Sequence, residues 1–307
     1  MKKICILLLA ALLVFAAGCT HVPEVIVDIG EPDNTEAAST PVPASEAPVN
    51  DTDAPTDAPT PDPDLTPEPT KVPDQLPPGQ VLWLNVCPTD LYGVDPNEAE
   101  AWFSDAVFIG DSIVLGWKNY NNKKLETNPN FFGQTHFLCE GSYGTGHALE
   151  PISDTSLHPL YQGQQHFLWD SVQMMGAKKV VICFGVNDLA IYGIEGTAQN
   201  YETVVDKIAA QSPDAKICII SAMYLIDDSN MKALKNENLR TLNGKLKDMC
   251  ERKGWDFLDI ASHLVGPDGY LKAEYCSDGF VHQTFAAYDV WSDILRSYAA
   301  HNIKYGY

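Results

Sequence analysis

The sequence predicts an α/β domain built as a three-layer α/β/α sandwich around a mostly parallel sheet. Two observations carry this. Beyond residue 100 of the 307-residue chain stand five short apolar runs, separated by longer segments with apolar residues at helical spacing. The runs are near-continuous rather than alternating, and a strand hydrophobic on both sides needs cover on both faces, which flanking helices supply to a parallel sheet. The predicted strands are 106–109, 136–139, 179–184, 216–222 and 256–260, and the predicted helices 112–120, 168–175, 197–211, 236–253 and 284–301. The first strand runs into Gly110-Asp111-Ser112, where Gly suits a strand-to-helix turn and Asp and Ser suit a helix cap. The second leads to Gly141-Ser142-Tyr143-Gly144-Thr145-Gly146, whose glycines permit positive φ or close backbone approach. The third ends in Gly185-Val186-Asn187-Asp188, residues that form local side-chain to backbone bonds in turns. Asp278-Gly279-Phe280-Val281-His282 precedes the last helix, which carries Phe285, Val290, Trp291, Ile294, Leu295 and Tyr298 at the spacing of a core-facing stripe.

Composition divides the chain in three. Met1-Lys2-Lys3 is followed by fourteen uncharged apolar residues, 4–17, too few to span a bilayer comfortably but suited to the core of an export signal. This leader, 1–18, ends Phe15-Ala16-Ala17-Gly18-Cys19, which resembles a bacterial lipobox and implies a lipidated N-terminus at Cys19; the alternative is an ordinary secretory signal with an incidental cysteine. Residues 19–80 hold 14 of the 21 prolines and 13 acidic residues against one basic residue, Lys71. With so few large apolar side chains the stretch reads as a disordered Pro/Thr/Asp-rich tether. Residues 81–307 form the remaining domain, long enough for one substantial core, with 28 acidic against 17 basic groups. An acidic balance in both parts argues against nucleic acid as a partner and against electrostatic docking on anionic lipid. The domain's cysteines are Cys87, Cys139, Cys183, Cys218, Cys250 and Cys276; Cys183 and Cys218 fall inside buried strands, so mostly free core thiols are expected. No spacing suggests a metal site, and no cofactor is implied.

Each strand-end segment alone reads as a cap or a turn. Together they bring a hydroxyl, backbone N–H groups, a carboxamide and an Asp/His pair to the carboxyl ends of the strands, where ligands collect in such sheets, and these are the parts acyl transfer requires. In this order the segments, from Phe108-Ile109-Gly110-Asp111-Ser112 to His282, resemble the SGNH, or GDSL, hydrolase superfamily. The resemblance implies a flavodoxin-like fold with a five-stranded parallel sheet of order 2-1-3-4-5. It also implies Ser112 as nucleophile, His282 as general base, Asp278 as the acid orienting it, and an oxyanion hole from the N–H of Ser112, the N–H of Gly144 and the side chain of Asn187. Two departures stay open. The family pattern puts the acid three residues before the histidine, whereas Asp278 stands four before His282; either the loop bulges by one residue, or a backbone carbonyl or water orients His282. Gly141 and Gly144 both align with the family glycine, with Gly144 preferred. No Gly-x-Ser-x-Gly elbow surrounds Ser112, so an α/β-hydrolase fold is not expected.

The expected function is that of an exported serine esterase, lipid-anchored outside the bacterial cell membrane, hydrolysing O-acyl and foremost O-acetyl esters on a polysaccharide. Trp117, Tyr143, Tyr192 and Trp291 are candidate sugar-stacking walls, although core packing is the commoner use of such aromatics. The alternatives are a lipase or thioesterase acting on acyl chains, for which no apolar lid is evident, and a non-catalytic glycan-binding lipoprotein on the same fold. The oligomeric state is left open.

Overall fold

In the computed structural model the described residues, 83–84, 90–133 and 135–306, fall within one unit, Pro69–Tyr307. The leader, Cys19, the tether and Cys87 lie outside the described residues. In chain order the elements are β1 (Trp83–Leu84), α1 (Pro96–Ala101), β2 (Ala106–Gly110), α2 (Ser112–Leu125), β3 (His136–Cys139), α3 (Thr145–Leu149), β4 (Leu160–Tyr161), β5 (Gln164–Gln165), α4 (Leu168–Met175), β6 (Lys179–Cys183), α5 (Val186–Gln211), β7 (Lys216–Ile220), α6 (Asn236–Lys253), β8 (Asp256–Leu258) and α7 (Phe285–Tyr305). The main sheet is parallel throughout and runs β1-β8-β7-β6-β2-β3, while β4 and β5 form a small antiparallel pair of their own. The five expected strands therefore take the order 2-1-3-4-5. The sheet gains a sixth strand, β1, which pairs with β8 through only two residues and is too short to carry a periodicity.

Burial follows the apolar runs. All five residues of β2 are buried, as are four of five in β6 and in β7, which is the burial on two faces that continuous hydrophobicity requires. Against one face pack α2 and α7, whose Trp117 and Trp291 rings lie 6.1 Å apart at 24°. Trp117, Trp291 and Tyr143 are wholly buried core residues and cannot form sugar-binding walls; of the four aromatics proposed for that role, only Tyr192 is exposed, at 39%. Truncating Trp117 or Trp291 to Ala would cost about 3–5 kcal/mol of stability, the usual range for a large buried aromatic. Cys139, Cys183, Cys218 and Cys250 are free and buried, and Cys276 is free and half-buried.

The largest departure from expectation is α5. It begins at Val186 rather than 197, with a kink at Gly193 where φ is 64° and ψ −174°. Asn187 and Asp188, read as turn residues, thus occupy the first turn of a helix, and contacts to a distant loop hold them there.

Candidate active site

Ser112 owes its place to the β2–α2 junction. Asp111, extended at φ −93° and ψ −153°, caps α2 by accepting the Ile113 N–H at 2.9 Å, which makes Ser112 the first residue of the helix. The helix start is tied to α7, because the buried Tyr288 hydroxyl donates to the Ile113 carbonyl at 2.8 Å.

His282 is held by a narrow hairpin leading into α7. Cys276 and Gln283 pair across it, the Ser277 N–H donates to the His282 carbonyl at 2.8 Å, and the Thr284 N–H donates to the Tyr275 carbonyl at 3.0 Å. Asp278-Gly279-Phe280-Val281 forms the tip. Gly279 adopts φ +72°, the left-handed region that costs other L-residues energy, and this turns the chain back on itself. Asp278 Oδ1 then accepts the N–H groups of Phe280, Val281 and His282 at 2.8, 3.1 and 3.2 Å. Its Oδ2 lies 2.5 Å from His282 Nδ1, and His282 Nε2 lies 2.9 Å from Ser112 Oγ. The extra residue between acid and histidine is absorbed by the left-handed turn. The tip is docked in its turn, as Ile226 donates its N–H to the Phe280 carbonyl at 2.9 Å. Two asparagines of α6 pin that neighbouring loop: Asn243 exchanges bonds of 2.7 and 3.0 Å with the Ala222 backbone, and Asn236 bonds of 2.8 and 3.0 Å with that of Leu225.

Asn187 stands in the first turn of α5. Its Nδ2 donates to the Tyr143 carbonyl at 3.0 Å and sits 3.5 Å from Asp111 Oδ2, which places the carboxamide between the residue preceding Ser112 and the residue preceding Gly144. The N–H groups of Ser112 and Gly144 have no acceptor among the described residues. Gly141 differs, since its N–H donates to Glu140 Oε1 at 3.1 Å and nothing stands within 4 Å of where its Cβ would be. Gly144 is buried, and a Cβ there would meet the Asp188 carboxylate at 2.7 Å. That carboxylate accepts the N–H groups of Thr145 and Gly146 at 2.9 and 3.0 Å.

The carboxyl groups differ in character. Burial works against ionisation of Asp278, but the hydrogen bonds from His282 and the Phe280 N–H outweigh it and hold the group down at about 2. Burial dominates at Asp111 and pushes it up to about 7, with the Ile113 N–H opposing and the Asp188 charge adding to the rise. Such a site has a hydroxyl in reach of an imidazole, a carboxylate on the far imidazole nitrogen, and unengaged N–H donors at Ser112 and Gly144.

A model of the GDSL-like Lipase/Acylhydrolase family matches residues 108–290, more than half of the chain. The chain belongs to the GDSL-like lipase/acylhydrolase family. Solved structures similar to this family member include a GDSL-like lipase from Bacteroides thetaiotaomicron, at 17% identity over 63% of this chain and 86% of that one with a TM-score of 0.46. A lipase/acylhydrolase from Enterococcus faecalis matches at 14% identity over 64% and 96% with a TM-score of 0.47. A family 3 carbohydrate esterase from Clostridium thermocellum matches at 12% over 65% and 95% with a TM-score of 0.43. Comparison with curated proteins finds no match.

In this GDSL-like chain the residues singled out from the sequence, Ser112, Gly144, Asn187, Asp278 and His282, come together from four separate segments, two of which, at Ser112 and Asn187, are helix starts. Sequence reasoning missed their supports. Asp188, Tyr288 and Asn236 carry no local signal of their partners, because each reaches a segment distant in the chain. Among the described residues no group of three His, Cys, Asp or Glu side chains is arranged to hold a metal ion.

Proposed function

We propose that this GDSL-like acylhydrolase is an exported, membrane-tethered serine esterase that removes O-acyl groups, O-acetyl foremost, from a polysaccharide. The observation that carries the reading is the unbroken chain from Ser112 Oγ to His282 Nε2 at 2.9 Å and from His282 Nδ1 to Asp278 at 2.5 Å. Ser112 Oγ attacks the ester carbonyl carbon while its proton passes to His282 Nε2, and Asp278, ionised throughout the neutral range, stabilises the resulting imidazolium. The carbonyl oxygen takes up the negative charge and receives hydrogen bonds from the N–H of Ser112, the N–H of Gly144 and Asn187 Nδ2, which keeps its 3.0 Å bond to the Tyr143 carbonyl and gives up the longer one, 3.5 Å to Asp111 Oδ2, to the oxyanion. Collapse breaks the bond to the alcohol, which leaves with the proton from His282. Water, deprotonated by the same imidazole, then attacks the acyl-enzyme, releases the carboxylic acid and restores Ser112.

Gly144 is the preferred glycine donor because its N–H is unengaged, whereas that of Gly141 is taken up by Glu140. The contact between Asp278 and His282 also removes the reason for reading the fold as a binder without turnover, since the four-residue spacing was the only feature in favour of that. For the substrate, the export signal and a lipidated Cys19 would set the domain outside the membrane, where acylated polysaccharide is encountered. Tyr192 supports a sugar as the alcohol: its ring packs on Gly146 at the edge of the Gly144 turn and remains exposed.

Hydrolysis of chromogenic acetate, butyrate and octanoate esters by wild type and Ser112→Ala tests the reading. Acetate is expected to be the best substrate, and Ser112→Ala is expected to lower kcat on the order of 10⁴-fold or more. Wild-type turnover in Ser112→Ala would overturn the assignment of the nucleophile, and a preference for octanoate would replace the acetyl esterase by a lipase.

A further inference from the structure

Asn187 and Asp188 are consecutive, and both side chains reach the turn between β3 and α3. They grip it with opposite polarity. Asn187 Nδ2 donates to the Tyr143 carbonyl at 3.0 Å, and the Asp188 carboxylate accepts from Thr145 and Gly146 at 2.9 and 3.0 Å. Between the gripped carbonyl and the two gripped N–H groups lies a single N–H without an acceptor, that of Gly144. The grip is close, for a Cβ on Gly144 would stand 2.7 and 2.8 Å from the two Asp188 oxygens, so only glycine lets the turn approach the carboxylate. It is also buried, since Asp188 is 1% exposed. The first N–H groups of a five-residue helix would be satisfied as well by water at the surface, whereas a buried carboxylate carries a desolvation cost. A rigid turn is what that cost obtains.

We propose that Asp188 is a positioning residue for acyl transfer, which fixes the Thr145 and Gly146 amides and thereby aims the Gly144 N–H at the oxygen that becomes negative on the substrate. The inference rests on the esterase reading above. A donor must stand about 2.7–3.1 Å from the oxyanion, and misplacement by about 1 Å costs up to about 10²-fold in rate. A residue that merely capped α3 would affect stability and leave turnover per folded molecule alone.

Asp188→Asn tests this with almost no change in volume. One carboxylate oxygen becomes an NH₂ group that cannot accept, so either Thr145 or Gly146 loses its partner. For the acetate ester kcat per folded molecule is expected to fall about 10- to 100-fold while KM moves less than about twofold, the signature of an interaction made in the transition state. A boronic acid supplies the second readout: Ser112 Oγ bonds to the trigonal boron, its proton passes to His282, and the boron becomes a tetrahedral anion in the place of the carbonyl carbon, with one of its oxygens in the place of the oxyanion. Its affinity should weaken by the same factor as kcat. Thr145→Pro deletes one gripped N–H at a first helical position, where proline is tolerated, and leaves Asp188 intact. It should give the same pattern, and it serves if Asp188→Asn fails to fold. Wild-type kcat and boronate affinity in the folded variant, whatever its Tm, overturn the proposal, as does a loss expressed wholly in KM. If Ser112→Ala were to retain turnover, the esterase reading and this inference would fall together, whereas an inactive Ser112→Ala beside an active Asp188→Asn removes this inference alone.

Discussion

Asp111 and Asp278 bear the same carboxyl group on adjoining loops, and their surroundings drive them in opposite directions. Asp278 receives three backbone N–H groups and His282, so it stays ionised down to about 2. The stability it adds is present above the unfolded value near 3.8 and is lost as pH falls toward 2; with the side chain 34% exposed, that contribution is small. Asp111 behaves in the reverse sense, because burial raises it to about 7. Between about pH 4 and 7 the folded chain keeps a proton there that the unfolded chain has lost, so this residue makes stability decline as pH rises through the window and level off above it. Asp111→Asn preserves the cap, since Asn serves that position as well as Asp, and removes the titration. Calorimetric Tm of wild type minus that of Asp111→Asn should therefore become more negative between pH 4.5 and pH 8. A difference independent of pH would show that Asp111 does not titrate in this range.

The hairpin that presents His282 is an element whose shape depends on one residue. At Gly279, with φ +72°, an added Cβ would meet nothing within 4 Å, so substitution there incurs backbone cost and no steric clash. Gly279→Ala is expected to destabilise the domain by about 1–2 kcal/mol and to lower kcat, as relaxation of φ opens the Asp278 to His282 contact. Gly279→Asn should recover most of both, because Asn visits the left-handed region more readily than Ala. Denaturant titrations and turnover on the same preparations check this, and equal values for all three proteins would show that the hairpin does not depend on a left-handed residue. Two further elements brace the hairpin: α6 through Asn236 and Asn243, which hold the loop that accepts the tip, and α7 through Tyr288, which ties the same helix that follows His282 to the start of α2. Ser112 and His282 are thus referenced to one helix.

At the scale of the whole molecule, the candidate site residues all lie within 108–290, and the segment before them adds negative charge. If Cys19 carries lipid, Cys19→Ala should shift the protein from the membrane fraction to the soluble one while esterase turnover per molecule stays at wild type; retention on membranes would point to another anchor. Strands β2, β3, β6, β7 and β8 were legible in the sequence because an apolar run is a local property, and so were Ser112, Asn187 and His282, which stand in recognisable strand-end segments. The two-residue β1 and the first turns of α5 were not, the former being too short for a period and the latter being written in glycine, asparagine and aspartate, which favour turns until a partner is supplied. By itself, then, the sequence determined the layers, the order of the strand-end segments along the chain and the acidic balance. Only the tertiary structure decided that a four-residue spacing still seats Asp278 on His282, that Gly144 rather than Gly141 has an unengaged N–H, that Trp117, Tyr143 and Trp291 belong to the core, and that Asp188 grips the α3 turn. The physical reason is separation: Ser112 and His282 stand 170 positions apart and Thr145 and Asp188 stand 43 apart, so the energies that join them arise from packing and have no trace in any local window of residues.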